Sequence, residues 1–134
     1  MNPQLPVPTP NPDSQPYYDA ARNDELVIRQ CKDCNEFHFM PRYLCPHCWS
    51  TNLAWVKASG RGTVHSYSVV RRAPTPSYAD RVPYVVALVD LEEGPRMLTN
   101  IVGEDALTTQ VGSAVQVSFE QRGEYKLPQF GLAK

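Results

Sequence analysis

The sequence predicts a mainly β protein. It has a short N-terminal helix, a four-cysteine metal site and a small antiparallel barrel. Three observations carry this: two Cys-x-x-Cys pairs, a series of short β-prone segments after Asn52, and one stretch near the start with helical spacing. The chain is 134 residues long, which suits one ordinary domain or a small domain with an appendage. The natural divisions are an arm and helix over 1–30, the metal site over 31–50 and the barrel over 51–134.

Prolines 3, 6, 8, 10, 12 and 16 open the chain. Proline fixes φ and lacks an N–H, so regular structure does not begin among them. This predicts an extended arm, either disordered or laid along a partner. A short helix is expected over 16–24, with Ser14 as N-cap and Pro16 in the first turn. Tyr17, Ala20 and Ala21 share one face, and Asn23 and Asp24 mark the end. The segment Glu25–Gln30 is short and β-prone and leads into Cys31.

Cys31 and Cys34 form the first pair, Cys45 and Cys48 the second, with ten residues between them. Two residues between cysteines let both thiolates turn to one ion while backbone N–H groups point at the sulfurs. Two such knuckles complete a sulfur tetrahedron. Zinc is preferred to iron; a rubredoxin-like electron carrier is the rival reading. Four thiolates leave no open position, so the metal is structural rather than catalytic. Its complex carries a formal charge of −2, which Arg29, Lys32 and Arg42 are placed in sequence to offset. His38 and His47 lie within the same stretch, but four well-spaced thiols leave no need for them. Asn35, after the first pair, tolerates a left-handed backbone. Trp49, after the second, does not, which predicts a less regular second knuckle.

From Asn52 onward the signals are for strands. Gly60 and Gly62 bracket Arg61 and suggest a bulge or tight turn. In 63–72 alternation puts Val64, Ser66, Ser68 and Val70 on one face and His65, Tyr67 and Val69 on the other. Residues 73–83 hold three prolines and read as a long loop. Strands follow at 84–91, 96–103 and 114–121, and the tail 125–134 can add a last short strand. Closure into a barrel avoids a long unpaired edge.

The net charge is −1, with 20% charged residues, unlike a general nucleic-acid coat. Basic residues nevertheless gather between 57 and 82: Lys57, Arg61, Arg71, Arg72 and Arg81, against Asp80 alone. Such a patch suits a compact polyanion such as a cofactor's phosphates. No apolar run reaches the ~20 residues that span a bilayer. No basic start precedes an apolar stretch, so no secretory signal is expected. Free thiols as metal ligands then fit a cytoplasmic location. Neither a nucleophile motif nor a Gly-rich phosphate loop is present, and His65 reads as a packed or surface residue.

The order of features is distinctive: PYYDAARND, CKDCNEFHFMPRYLCPHC, GRGTVHSYSVVRR, VPYVVALVDLEEGPRMLTNIVG, VGSAVQVSFE and LPQF. Over roughly 13–131 this resembles the DUF35 family, which has an N-terminal helical segment, a rubredoxin-like zinc ribbon and an OB-fold. Glycines usual in that family near Asn23–Asp24 and after the first cysteine pair are missing, so local turn differences are expected. The resemblance implies a non-catalytic accessory subunit. Its partners would be a thiolase-like enzyme, an aldolase or a hydratase acting on acyl-CoA. The ribbon and helix would dock the partner, and the OB-fold would cover or bind the CoA moiety.

The residues are compatible with a CoA thioester as ligand. Arg71, Arg72 and Arg81 suit its phosphates, because arginine binds phosphate in bidentate fashion. Tyr78, with Tyr67 or Tyr84, suits the pantetheine arm, and Arg42 is a further phosphate candidate. The alternative is a single-stranded nucleic-acid-binding module, since OB-folds bind strands with aromatics in a basic groove. The overall acidity opposes it.

Overall fold

The computed structural model describes residues 5–133, which places Pro3 outside the described residues. One helix and eight strands follow in order. They are α1 (Gln15–Arg22), β1 (Val27–Cys31), β2 (Phe37–His38), β3 (Leu53–Lys57), β4 (Arg61–Val70), β5 (Tyr84–Leu91), β6 (Arg96–Val102), β7 (Ala114–Arg122) and β8 (Tyr125–Leu132). Among the described residues no helix is long and apolar enough to cross a membrane.

Ser14 is the N-cap residue of α1, as expected, but its side chain makes no cap hydrogen bond to the helix. Asn11 Oδ1 accepts from the Ser14 N–H at 2.9 Å, and Ser14 Oγ accepts from the Asn11 N–H at 3.0 Å. This reciprocal pair lies in the turn before the helix, and Pro16 sits in the first helical turn as expected. The helix ends in a Schellman motif. Glu25 N–H donates to Ala20 O and Asp24 N–H to Ala21 O, both at 3.0 Å, with Asp24 at φ 60. Tyr17 and Ala21 are the buried face.

Where it is described, the arm lies against the end of β7 and the turn that follows it. Pro6 O accepts from Arg122 Nη1 at 3.1 Å, and Val7 packs against Gly123. Arg122 is itself buried, so this bond satisfies part of a guanidinium that water cannot reach.

Strands β2, β1 and β3 form a small antiparallel sheet in that order, extending on both sides of the cysteine segment. Strands β4–β5–β6–β8–β7 close a five-stranded barrel. All its pairings are antiparallel except β6 with β8, where Ile101 faces Phe130 and Val102 faces Gly131. The alternation of β5 is clean: Val85, Ala87, Val89 and Leu91 are buried. With Val64, Met97, Ile101, Val115 and Phe130 they fill the barrel. Leu26, Ile28 and Tyr17 extend the same core under the small sheet and helix.

Two details differ from simple alternation. β4 bulges between Val64 and Ser66, and the register resumes with Tyr67 opposite Ala87 and Val69 opposite Val85. The extra residue flips the parity, so Tyr67 and Val69, not Ser66 and Ser68, share the face of Val64. The glycines flanking Arg61 are spatial requirements. A Cβ on Gly62 would lie 2.5 Å from Val89 Cγ1 and 2.8 Å from the Asp90 carbonyl oxygen. Backbone cannot yield as a side chain can, so Gly62→Ala should cost about 2 kcal/mol. Chemical denaturation of the variant checks this.

Candidate metal centre and ligand surface

The two knuckles are built alike. In the first, Asn35 N–H donates to Cys31 O at 2.8 Å and Cys31 N–H to Glu36 O at 2.9 Å. In the second, Trp49 N–H donates to Cys45 O and Cys45 N–H to Ser50 O, both at 2.9 Å. Asn35 has φ 66 and Trp49 φ 67. The second knuckle is therefore as regular as the first, contrary to the sequence expectation, because Trp49 accepts the left-handed backbone. Asp24 and Asn35, where the family usually has glycine, likewise adopt left-handed φ, so those turns keep the conformation glycine favours.

The knuckles are tied together by Asp33, which accepts from Ser50 Oγ and from Asn52 Nδ2 at 3.2 Å. Those bonds, the Ser50 one first, hold its carboxyl below the usual carboxylate range. The Lys32 N–H adds a bond to Asn52 O at 2.8 Å.

All four sulfurs lie within 4.8 Å of one another. Cys31 and Cys48 sulfurs are 3.5 Å apart, those of Cys34 and Cys45 3.7 Å. A zinc tetrahedron with ~2.3 Å bonds has sulfurs about 3.8 Å apart, so the donor set fits. The His47 N–H points at Cys45 Sγ at 3.4 Å, as knuckle amides do. Thiols this close resist ionising together. Cys31 is drawn down to about 7, chiefly by the Cys34 N–H. At Cys48 the Ser50 N–H acts to lower the pKa, yet the Cys31 thiol, burial and the other two thiols push it up to about 12. A bound dication removes that conflict and supplies fold energy. His38 stays outside the cluster: it is buried, with neither ring nitrogen hydrogen-bonded.

The basic residues of 57–82 are not one patch. Lys57 pairs with Glu25 at 3.7 Å, and Arg61 with Glu92 at 2.8 Å. Arg81 Nη2 donates to Glu120 Oε2 at 2.7 Å, while Arg122 Nε donates to Glu120 Oε1 at 2.8 Å. Arg71 and Arg72 are exposed at the end of β4 and have no carboxylate partner among the described residues. Tyr78 sits in a one-turn 3₁₀ helix, Pro76–Tyr78, with its ring 5.4 Å from that of Tyr84. The structure thus places Arg71, Arg72 and Tyr78 on one loop and binds Arg81 into a latch: loop, Arg81, Glu120, Arg122, arm.

The latch is expected to respond to pH. Burial works to raise the Glu120 pKa, but hydrogen bonds from Arg81 and Arg122 outweigh it and hold the carboxyl below its ordinary 4.5. A depressed folded-state pKa means stabilisation present above the ordinary value and lost as pH falls through the folded one. Acidification through the folded-state value, which lies below 4.5, should loosen residues 71–83, read as faster amide exchange there. Glu120→Gln should show that looseness already at neutral pH.

Sequence reading missed a second surface. Tyr43 and Trp49 are 64% and 79% exposed and, with Arg42, Pro46 and Asp13, line a cavity of about 420 Å³ beside the metal site. A tryptophan immediately after a knuckle, where glycine or asparagine would be easier, is the signal that marked it.

Fold and site together define a two-module zinc-ribbon and OB-fold protein. Residues 19–54 match the family model described as the ChsH2 rubredoxin-like zinc ribbon domain, and residues 55–120 the ChsH2 C-terminal OB-fold domain. A DUF35 domain-containing scaffold protein of Methanothermobacter thermautotrophicus is 40% identical over 97 residues, covering 72% of each chain. The chain belongs to the DUF35 family. A probable enoyl-CoA hydratase alpha subunit of Thermomonospora curvata is 39% identical over 126 residues, 93% of this chain. This chain spans only 39% of that subunit's length. Among solved structures, a chain of the Ltp2-ChsH2(DUF35) aldolase superposes with a TM-score of 0.84 at 37% identity, covering 96% of this chain and all of that one.

Proposed function

We propose that this protein is a non-catalytic accessory subunit. It docks onto a thiolase-like, aldolase or hydratase enzyme and covers the CoA moiety of its acyl-CoA substrate. The observation that carries this reading is the end-to-end likeness to a chain of an aldolase complex. The relative named as a hydratase alpha subunit supports the same class of partner.

The geometry supports a division of labour. The zinc holds the ribbon, and the ribbon presents Tyr43 and Trp49 to the partner. Exposed aromatics with a neighbouring arginine are the composition of an interface hot spot. The loop with Arg71, Arg72 and Tyr78 receives the phosphates and pantetheine arm of CoA. Arg71 and Arg72 are the better phosphate donors because Glu120 already engages Arg81.

Two measurements test the two halves. Mild affinity purification from native cells should recover an enzyme of one of these classes in near-stoichiometric amount. Calorimetric titration with acetyl-CoA should then show affinity falling about tenfold or more when Arg71 and Arg72 are both changed to Ala. Unchanged affinity removes the loop from the ligand site. Recovery of single-stranded nucleic acid instead of an enzyme would replace the whole reading.

A further inference from the structure

β4 is ten residues long, but β7 accompanies it only over Arg61–Thr63. One more link follows: the Val64 N–H donates to Ser113 O at 2.9 Å, and its carbonyl accepts from the Gly112 N–H at 2.8 Å. Beyond the bulge at His65, Ser66–Val70 pairs with β5 alone. Among the described residues no other backbone group bonds to it.

The stretch reads Ser-Tyr-Ser-Val-Val and is uncharged, β-prone and free of proline. Residues 65–68 are exposed, Tyr67 at 38%. Sheet edges are ordinarily blunted by lysine, by proline, by a bulge or by a cover. Here the bulge precedes the stretch, and none of the other devices falls within it. Beside the point where pairing stops, the segment before β7 exposes Val111 at 68% and Leu107 at 52%. An open strand edge therefore adjoins an apolar shoulder.

The geometry points to Ser66–Val70 as a strand-addition site for an extended, uncharged segment of the enzyme subunit on which this chain docks. This rests on the accessory-subunit reading above. Five residues at ~3.4 Å each offer about 17 Å of main-chain donors and acceptors, which only another backbone matches in spacing. The side chains of Tyr67 and Val111 then favour apolar residues in the incoming strand. Arg71 and Arg72 follow directly in the chain, so the added strand leads to the loop assigned to CoA.

A second copy of this chain is the other occupant to weigh. Two copies sharing a five-residue edge fall well short of the ~1,000 Å² that a specific interface buries. An enzyme that also covered Tyr43 and Trp49 would add the area that the edge alone lacks.

Hydrogen exchange read by mass spectrometry tests the assignment on the free chain and on its complex with the co-purified enzyme. Amides of 66–70 facing away from β5 should exchange fast in the free chain and slow at least a hundredfold in the complex. Ser68→Lys should weaken the complex at least tenfold at unchanged Tm. Thr63→Lys, also exposed but on the paired part of β4, should leave affinity within twofold. If Ser68→Lys disturbs folding, the wild-type exchange decides. A complex that forms with the edge still exchanging overturns the inference and leaves the accessory reading intact. Concentration-dependent protection of the free chain, with a dimer in sedimentation, assigns the edge to a second copy and also overturns it. If no enzyme is recovered, both readings fall.

Discussion

Cys45→Ser is expected to abolish zinc binding and unfold the ribbon. Cys45 is 1% exposed and anchors the second knuckle through two backbone hydrogen bonds. A structural zinc contributes on the order of 10 kcal/mol, comparable to the whole stability of a typical domain. Losing one of four ligands forfeits much of that, because β1–β3 is too small a sheet to hold itself. The barrel has its own closed pairing and holds most of the shared core, around Val89 and Phe130. Elemental analysis should therefore show zinc falling from about one atom per chain to none. Amide exchange should show protection lost in 27–57 and retained in β5 and β8, with Tm lowered. Full zinc and an unchanged Tm in this variant would mean that the site is not held by four sulfurs.

Trp49→Gly is expected to move stability and partner affinity in opposite directions. A left-handed backbone costs an ordinary residue ~1–2 kcal/mol. Glycine removes that cost but returns about 0.5–1 kcal/mol through its freer unfolded chain. Trp49 is 79% exposed, so little packing is lost. The free protein should gain about 0.5–1 kcal/mol, or roughly 2–4 °C in Tm. Binding of the enzyme subunit should weaken by about 2 kcal/mol, roughly thirtyfold, as for a hot-spot aromatic. A merely structural tryptophan would not combine a higher Tm with weaker binding. A variant that binds normally would remove Trp49 from the docking face.

The sequence was legible where one residue type has one use. The cysteine pairs specified the metal site because spacing and thiolate chemistry leave little choice. The alternation of β5 was legible because one face is buried along its whole length. The small sheet was harder: β2 is two residues long and carries no periodic signal, and β3 is nowhere fully buried. The helix start was legible in Ser14, but that its side chain pairs with Asn11 instead of capping the helix is shown only by the structure.

By itself, then, the sequence determined the metal ligands and the helix–ribbon–barrel order through local spacing, and the DUF35 resemblance through its combination of motifs. Only the tertiary structure decided which arginines are free. Glu120 lies 39 positions from Arg81, and no local pattern reveals that it neutralises one candidate while Arg71 and Arg72 have no carboxylate partner among the described residues. It also decided the fate of β4. Where β7 begins fixes how much of β4 is paired, and the bulge at His65 fixes which side chains turn inward. Both depend on strands that meet only after the chain has closed, because pairing and register are long-range properties.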